Sequence, residues 1–509
     1  MAACHPLCLV LCCLPCYGHA KPLVILAELL VDAGHEVYFI TSQAMVPRIR
    51  DLCRDPRVVV LGVDDGLVPE SDDFHLGRVT DVKQHPVWFA EERMTAPLIA
   101  MIKGMSRVPD MVISDHLTWA GANAARSCDI EHACHVTWPL HMLEETGFLP
   151  SRSLSSYIGA NVRALRSCWL APSFMKPPGP PRAFLNRVRS QCSGGGRSGG
   201  LVLVTSSFGL EPPRALPPFV KVIGRGHRPE TADTLAEHPD LKASNLCAFL
   251  DAHGVVVYVT FGSRVPPPPS LVRTVGEGLV AGGWAVAWSL KRAEAAHLPR
   301  AALASGRFFV RPWLPQGAAL AHPNIRAAVI HCGMGGLFEC AVNAVPVVPL
   351  PFSISADQPV NARAAVAAGF AARPRPSCST LSKLKFWKMR GGDPEFSPGA
   401  IRDAVAKAVQ DPALSEGARR IKRAVLSAGY GRVAVDAVES CCLYGTDHFS
   451  AGESDTNMGS NASQTLRALT VGMVVGAMVT AAVGFLAASS LAREGSPGTC
   501  RLSGAWRTR

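Results

Sequence analysis

The sequence predicts an α/β protein of two doubly wound halves, each a parallel sheet faced by helices, followed by one membrane-spanning helix. Three observations carry this expectation. Short, wholly apolar runs recur between helical patterns, beginning with LCLVLCCL at 7–14; uninterrupted apolar strands belong to parallel sheets buried on both faces. The alternation lapses once, over 225–245 (RGHRPETADTLAEHPDLKASN), and then resumes. Residues 468–492 (ALTVGMVVGAMVTAAVGFLAASSLA) are 25 uncharged residues, about the length that crosses a bilayer as a helix.

The first 40 residues read as strand, loop, helix, strand. After LCLVLCCL, Pro22 suits the first turn of a helix, and Leu23, Leu26, Ala27 and Leu30 recur at helical spacing. Gly34 stops that helix and EVYFIT resumes as a strand. Open α/β sheets bind ligands at the carboxyl ends of their strands, so the loop after the first strand is a candidate site. Strands continue at DMVISD (110–115) and LVLVTSS (201–207), with CSGGGRSGG (192–200) between them as an exposed Gly-rich insertion. The second alternation runs through VVVYVTFGS (255–263), WAVAWSL (284–290), RFFVRPW (307–313), AAVIH (327–331) and VPVVPLP (345–351). Helical patterns at 400–440 close the globular part. The expected domain map is therefore 1–225, a linker at 226–245, a second domain at 246–400 and closing helices at 401–444. A polar spacer at 445–467, the membrane helix at 468–492 and a short basic tail at 493–509 follow.

Composition narrows the function classes. Apolar residues make up 48% of the chain, enough for large cores. The formal charge of +11 is spread along the chain, and the aromatics, at 7%, are not interleaved with Lys/Arg clusters, which argues against a nucleic-acid surface. A basic balance suits an anionic substrate. Seventeen cysteines scatter through apolar runs, as at Cys8, Cys12, Cys332, Cys340 and Cys441, a pattern of buried thiols rather than of a disulfide framework.

Three stretches carry chemistry. AAVIHCGMGGLFE is a buried strand that enters a Gly-rich loop and then a helix, and the backbone N–H groups of such a turn suit a diphosphate. Gly333, Gly335 and Gly336 allow close approach, and His331 offers a hydrogen bond or a positive charge. Cys13-Leu-Pro-Cys16 raises a redox reading. A reactive pair normally sits at a helix N-terminus, here expected near Pro22, and no second Cys-x-x-Cys completes a zinc site. His19, at the end of the first strand, has a pKa range suited to a general base.

Residues 310–362 contain Trp313, Pro315 and Gln316, then His331 and Gly333, with Glu339 six residues later. Val345-Pro346, Asp357-Gln358 and Asn361-Ala362 follow. This series resembles the donor signature of the UDP-sugar-dependent inverting glycosyltransferases, the UGT family, and the resemblance covers most of residues 5–440. It implies a GT-B fold, two facing Rossmann-like domains with acceptor binding in the first and UDP-sugar binding in the second. By position it implies that Trp313 stacks on uracil, with Leu314 and Gln316 holding base and ribose. Glu339 would accept from ribose hydroxyls. His331 and the 333–336 loop would hold the diphosphate with Gly262 and Ser263. Asp357 and Gln358 would grip the sugar. Tyr17-Gly18-His19-Ala20-Lys21-Pro22 resembles the family's G-H-x-x-P, and SDHLTWAGANAA (114–125) its Asp segment. His19 would then deprotonate an acceptor hydroxyl while Asp115 fixes the imidazole.

The chain also departs from the family. Met334, Gly335 and Gly336 stand where plant members carry W-N-S, and Asp357 lies 18 residues beyond Glu339, two more than in typical plant forms. Gln358, where some galactose-using members carry His, points to glucose. The implied reaction moves a hexose from UDP-sugar to a hydroxyl of a small, lipophilic acceptor, such as a sterol, phenol or lipid, with inversion and with no metal or other cofactor. The altered loop keeps a second reading open, a GT-B membrane protein that binds nucleotide sugar or lipid without turnover.

Membrane orientation has two opposed cues. The tail carries Arg493, Arg501, Arg507 and Arg509 against Glu494, and the positive-inside rule would then make the large domain lumenal. The N-terminus lacks a basic n-region and a cleavage site, which favours a cytosolic catalytic domain on an endomembrane. A glycan at Asn461, the one sequon, would decide for the lumen. Gly472 and Gly476 form a small-xxx-small pattern that suits self-association.

Overall fold

Strand β1 (Cys8–Cys12) is buried at every position. Leu9 and Leu11 enter one core and Val10 and Cys12 the other, as a strand covered on both faces requires. The computed structural model describes residues 5–66, 86–145, 149, 200–224, 245–262, 266–352, 357–375 and 396–445. The membrane segment 468–492, Gly472 and Gly476, Asn461 and the basic tail lie outside these residues. So do the linker at 225–244, residues 192–199 of the Gly-rich insertion, and Ser263. Among the described residues no helix is long and apolar enough to cross a membrane.

After β1 come α1 (Tyr17–Asp32), β2 (Glu36–Ser42), α2 (Val46–Leu52), β3 (Val59–Val63), α3 (Pro86–Lys103), β4 (Met111–Asp115) and α4 (Trp119–Ser127). Then follow β5 (Glu131–Val136), α5 (Leu140–Glu145), β6 (Val202–Val204) and β7 (Val220–Val222). The seven strands are parallel in the order β3-β2-β1-β4-β5-β6-β7, with Leu9 opposite Val37 on one side and Met111 on the other. The order reverses between β1 and β4, and open α/β sheets bind ligands beyond the carboxyl ends of the strands at such a reversal.

The second half repeats the plan. It comprises α6 (Leu246–Asp251), β8 (Val256–Thr260), α7 (Pro269–Gly282), β9 (Ala285–Ser289), α8 (Arg292–Ala295), α9 (Arg300–Ala304) and β10 (Phe308–Arg311). Next are α10 (Gln316–Ala321), β11 (Ile325–Ile330), α11 (Met334–Val342), β12 (Val347–Pro349) and α12 (Asp357–Ala367). Its parallel sheet is ordered β10-β9-β8-β11-β12, and the reversal lies between β8 and β11. Val256 and Tyr258 face one core, Val257 and Val259 the other.

Three helices close the described chain: α13 (Pro398–Gln410), α14 (Pro412–Leu426) and α15 (Tyr430–Tyr444). The first two pack into the second half: Ile401 and Val405 join the core under β8 and β9, and Ala418 and Ile421 pack with α11. The third crosses back. Ala434, Ala437, Val438 and Cys441 fill the core built on β1, α1 and β2, and His35 Nε2 lies 3.0 Å from Glu439 Oε1. Gly429, at φ 67° before α15, makes the turn that sends the chain back.

One sequence expectation is corrected here. Helix α1 begins at Tyr17, not near Pro22, so Pro22 is its sixth residue. The amide N–H groups of His19 and Ala20 already bond to the Cys16 carbonyl at 3.0 and 2.9 Å, which closes the first turn before the proline. The carbonyl that Pro22 leaves unpaired belongs to Gly18, which is exposed to water. His19 is therefore a residue of the helix's first turn, not of a loop ahead of it, and Cys16 is the N-cap. The argument against a redox pair consequently moves from helix position to burial. Cys13 and Cys16 are both buried, and beside them burial pushes the Cys12 thiol up to about 12.

Candidate active site

The two switch points carry the candidate residues. In the first half, His19 follows β1 and Asp115 ends β4, so adjacent strands bring the two together. His19 Nδ1 stands 2.8 Å from Asp115 Oδ1, while Asp115 Oδ2 accepts from the Leu117 N–H at 3.0 Å. With Nδ1–H donated to the carboxylate, Nε2 is the basic atom of the ring. Burial alone would raise the Asp115 pKa. The adjoining imidazoles of His19 and His116 outweigh it and hold this carboxyl well below the usual range.

His116 is a site residue that sequence reasoning missed. Its Nδ1 lies 3.1 Å from the same Asp115 Oδ1, its ring stacks on His19 at 5.2 Å, and it makes a T-shaped contact with Trp138 at 4.5 Å. Burial lowers its pKa despite the carboxylate, so it is a neutral donor that shares Asp115 with the candidate base. Thr137 Oγ1, just beyond β5, is 3.3 Å from His19 Nδ1. The motif SDHLTW signals His116 only through its place beside Asp115, and Thr137 has no signal at all. His19, Asp115 and His116 also form the one group among the described residues with three metal-ligand atoms within 4.8 Å. Both Nδ1 atoms are turned to Asp115 Oδ1, so the ligand atoms are engaged with one another.

In the second half, β8 leads to Gly262 and β11 to His331, again on adjacent strands at the reversal. The His331 ring is gripped between glycines: a Cβ on Gly262 would lie 2.8 Å from its Nε2 and one on Gly333 only 2.5 Å. Gly262 has φ 77° and Cys332 φ 63°, left-handed conformations that turn the chain sharply around the imidazole. His331 is half-buried, and desolvation lowers its pKa to about 4. With so low a pKa the ring is neutral near pH 7 in this structure.

The expected Gly-rich loop is shorter than its sequence suggests. Gly333 is the N-cap of α11, and Met334, Gly335 and Gly336 form the helix's first turn. First-turn N–H groups have no intrahelical acceptor, and glycines at two of these three positions leave them without a side chain in front. Met334 is buried in the core and stands where plant members place a Trp beside the sugar.

The residues expected to hold the nucleoside lie just before α10, at its start and in α11. Trp313 is 49% exposed, while the next residue, Leu314, is buried. Gln316 opens α10 and its amide donates to Oε2 of Glu339, the sixth residue of α11. Lys21, from α1, reaches Glu339 Oε1 at 2.7 Å and thus joins the two halves at this carboxylate. Asp357 and Gln358 begin α12, and Gln358 is buried. Asn361, which sequence reasoning noticed but gave no role, donates to the Cys332 carbonyl at 2.9 Å and lies 3.4 Å from Asp357 Oδ2. It pins the start of α12 to the turn that holds His331. Of the expected residues only Ser263 lies outside the described set.

Comparison with known proteins follows the same outline. Residues 198–383 match the family described as UDP-glucoronosyl and UDP-glucosyl transferase. A UDP-glycosyltransferase of Talaromyces amestolkiae is 27% identical over 400 residues, 69% of this chain and 74% of that protein. An anthocyanidin 3-O-glucosyltransferase of Vitis vinifera is 39% identical over 110 residues, 21% of this chain and 24% of that enzyme. Among solved structures, Os79 from O. sativa in complex with UDP superposes with TM-score 0.63 at 17% identity, over 84% of this chain and 99% of that one. The calicheamicin glycosyltransferase CalG4 gives 0.54 at 17%, over 86% and 98%. At such identities the structural likeness speaks to the fold, the two-domain GT-B architecture.

Proposed function

We propose that the chain is a UDP-dependent glycosyltransferase, as its similarity to that family supports, and that it moves a hexose, glucose in the first instance, from UDP-sugar to a hydroxyl of a small lipophilic acceptor with inversion at the anomeric carbon. The observation that carries this reading is the pairing of His19 Nδ1 with the buried, ionised Asp115 at 2.8 Å, at the strand reversal of the first sheet. In the reaction the acceptor O–H proton passes to His19 Nε2. The oxygen bonds to the anomeric carbon from the face opposite UDP, the bond from that carbon to the phosphate oxygen breaks, and UDP leaves with the electron pair. Asp115 stabilises the imidazolium so formed, and His116 and Thr137 keep both partners aligned.

Negative charge that develops on UDP is met by fixed dipoles. The first-turn N–H groups of α11 and the neutral His331 supply them, so the reading requires no divalent metal or other cofactor. Gly335 and Gly336 remove side chains from this turn but not its N–H donors, which supports phosphate binding in spite of the departure from the plant pattern. Trp313 suits the uracil, Gln316 and Glu339 the ribose, and Asp357 and Gln358 the sugar hydroxyls. Lipophilic acceptors are favoured by the apolar segment 468–492, and flavonol and anthocyanidin glucosyltransferases are among the relatives.

The test is UDP release from a panel of UDP-sugars with hydroxylated acceptors from lipid and aqueous extracts. Acceptor-dependent release is expected, with His19→Ala slower by about 10³-fold, within the range for a lost general base. Measurable UDP binding without turnover under any pairing would instead favour a non-catalytic nucleotide-sugar-binding protein. Undiminished activity of His19→Ala would remove the assigned base.

A further inference from the structure

We propose that Lys21 is a donor-positioning residue: a cation supplied by the helix of the base, it holds the Glu339 carboxylate in place for the 2′,3′-diol of a uridine diphosphate. The proposal rests on the donor role of Glu339 argued above. Lys21 Nζ lies 2.7 Å from Glu339 Oε1 across 318 residues of sequence, and the Gln316 amide donates to Oε2. Lys21 on Oε1 and Gln316 on Oε2 thus fix the plane of the carboxylate from both oxygens, and an ionised carboxylate accepts from hydroxyls such as the two of a ribose. The side chains are 25% and 12% exposed, so the pair sits in a partly dehydrated cleft where charge is screened less than on open surface.

Position on α1 gives the contact its consequence. Lys21 lies two residues beyond His19 on the same helix, so the cation that orients the ribose carboxylate and the imidazole proposed to take the acceptor proton move as one body. A nucleotide held by Glu339 is thereby registered against the base from the other half. A lysine that merely joined the halves would affect unfolding and leave nucleotide affinity alone.

The experiment is calorimetric titration of the full chain with UDP, which needs no turnover. Lys21→Met is expected to raise the UDP Kd about tenfold, the coupling typical of groups in one charged network, and Lys21→Arg to restore most of it. Glu339→Gln weakens UDP by itself, and in that background Lys21→Met adds under about twofold, as shared action requires. The affinity of 2′,3′-dideoxyuridine diphosphate should not change with Lys21→Met. Unaltered UDP affinity in a folded Lys21→Met, or effects that simply add to those of Glu339→Gln, would overturn the proposal and leave an inter-half strut. Tighter UDP binding would overturn it in favour of a latch that the ribose must break. Absence of UDP binding by the unmodified chain would instead overturn the donor-site reading beneath it.

Discussion

The buried imidazoles set an acid limit on stability. Burial lowers His132 and His331 to about 4 from an ordinary 6.5, so the folded chain binds fewer protons than the unfolded chain between those values. Their contribution is complete above pH 6.5 and is lost as pH falls towards 4, up to about 3 kcal/mol for the fully buried His132. The Asp115 contribution has the same sign but a lower window, since its depressed pKa is felt only below 3.8. Thermal unfolding followed from pH 7 to 4.5 should show a falling midpoint, and His132→Gln should flatten that slope. His19 and Asp115 were legible in the sequence because each ends an apolar strand in a recognisable motif. His116, Thr137 and Lys21 were not, because their roles come from neighbours 96 or more residues away, or from the second neighbour of a side chain already assigned.

At the scale of elements, the strand that stops at Ile330 and the helix that starts at Met334 leave only three residues to turn the chain. Glycine is needed at the N-cap because a Cβ on Gly333 would press 2.5 Å from the His331 ring. Gly333→Ala is expected to displace the imidazole and weaken UDP about tenfold, a loss typical of one charged hydrogen bond, with little change in far-ultraviolet circular dichroism. Unchanged UDP affinity in that variant would detach His331 from the phosphates. The sequence marked this turn by its glycines but made it a loop, because a run of glycines has poor helix propensity and the tertiary packing of Leu337 and Phe338 that enforces the helix is invisible locally. The same limit hid β5: EHACHV carries two histidines and a glutamate, and only its place between β4 and β6 makes it a buried strand. Helix α1 started early for a related reason, since its first turn is closed on the Cys16 carbonyl, not by its apolar pattern.

Over the whole molecule, the two-half plan was legible because parallel strands buried on both faces leave uninterrupted apolar runs. Which half takes the last helices was not, since any amphipathic helix fits either sheet by composition. Val438, fully buried in the first core, tests that assignment. Val438→Ala should cost about 2 kcal/mol in urea unfolding, as large-to-small changes in cores do. Because α15 ties the halves together, one shared transition is expected, and two well-separated transitions would show the halves to be independent. The return of α15 also bears on biosynthesis. The core begun by Leu7, Leu9 and Leu11 receives Val438 and Cys441 only after more than 400 further residues, which at ~5–20 residues per second is tens of seconds of translation. During that interval the nascent first half lacks the helix that will cover the apolar side of β1 and α1. Ribosome-bound chains stopped before residue 430 are expected to bind holding chaperones more than full-length chains do, as co-purification would read.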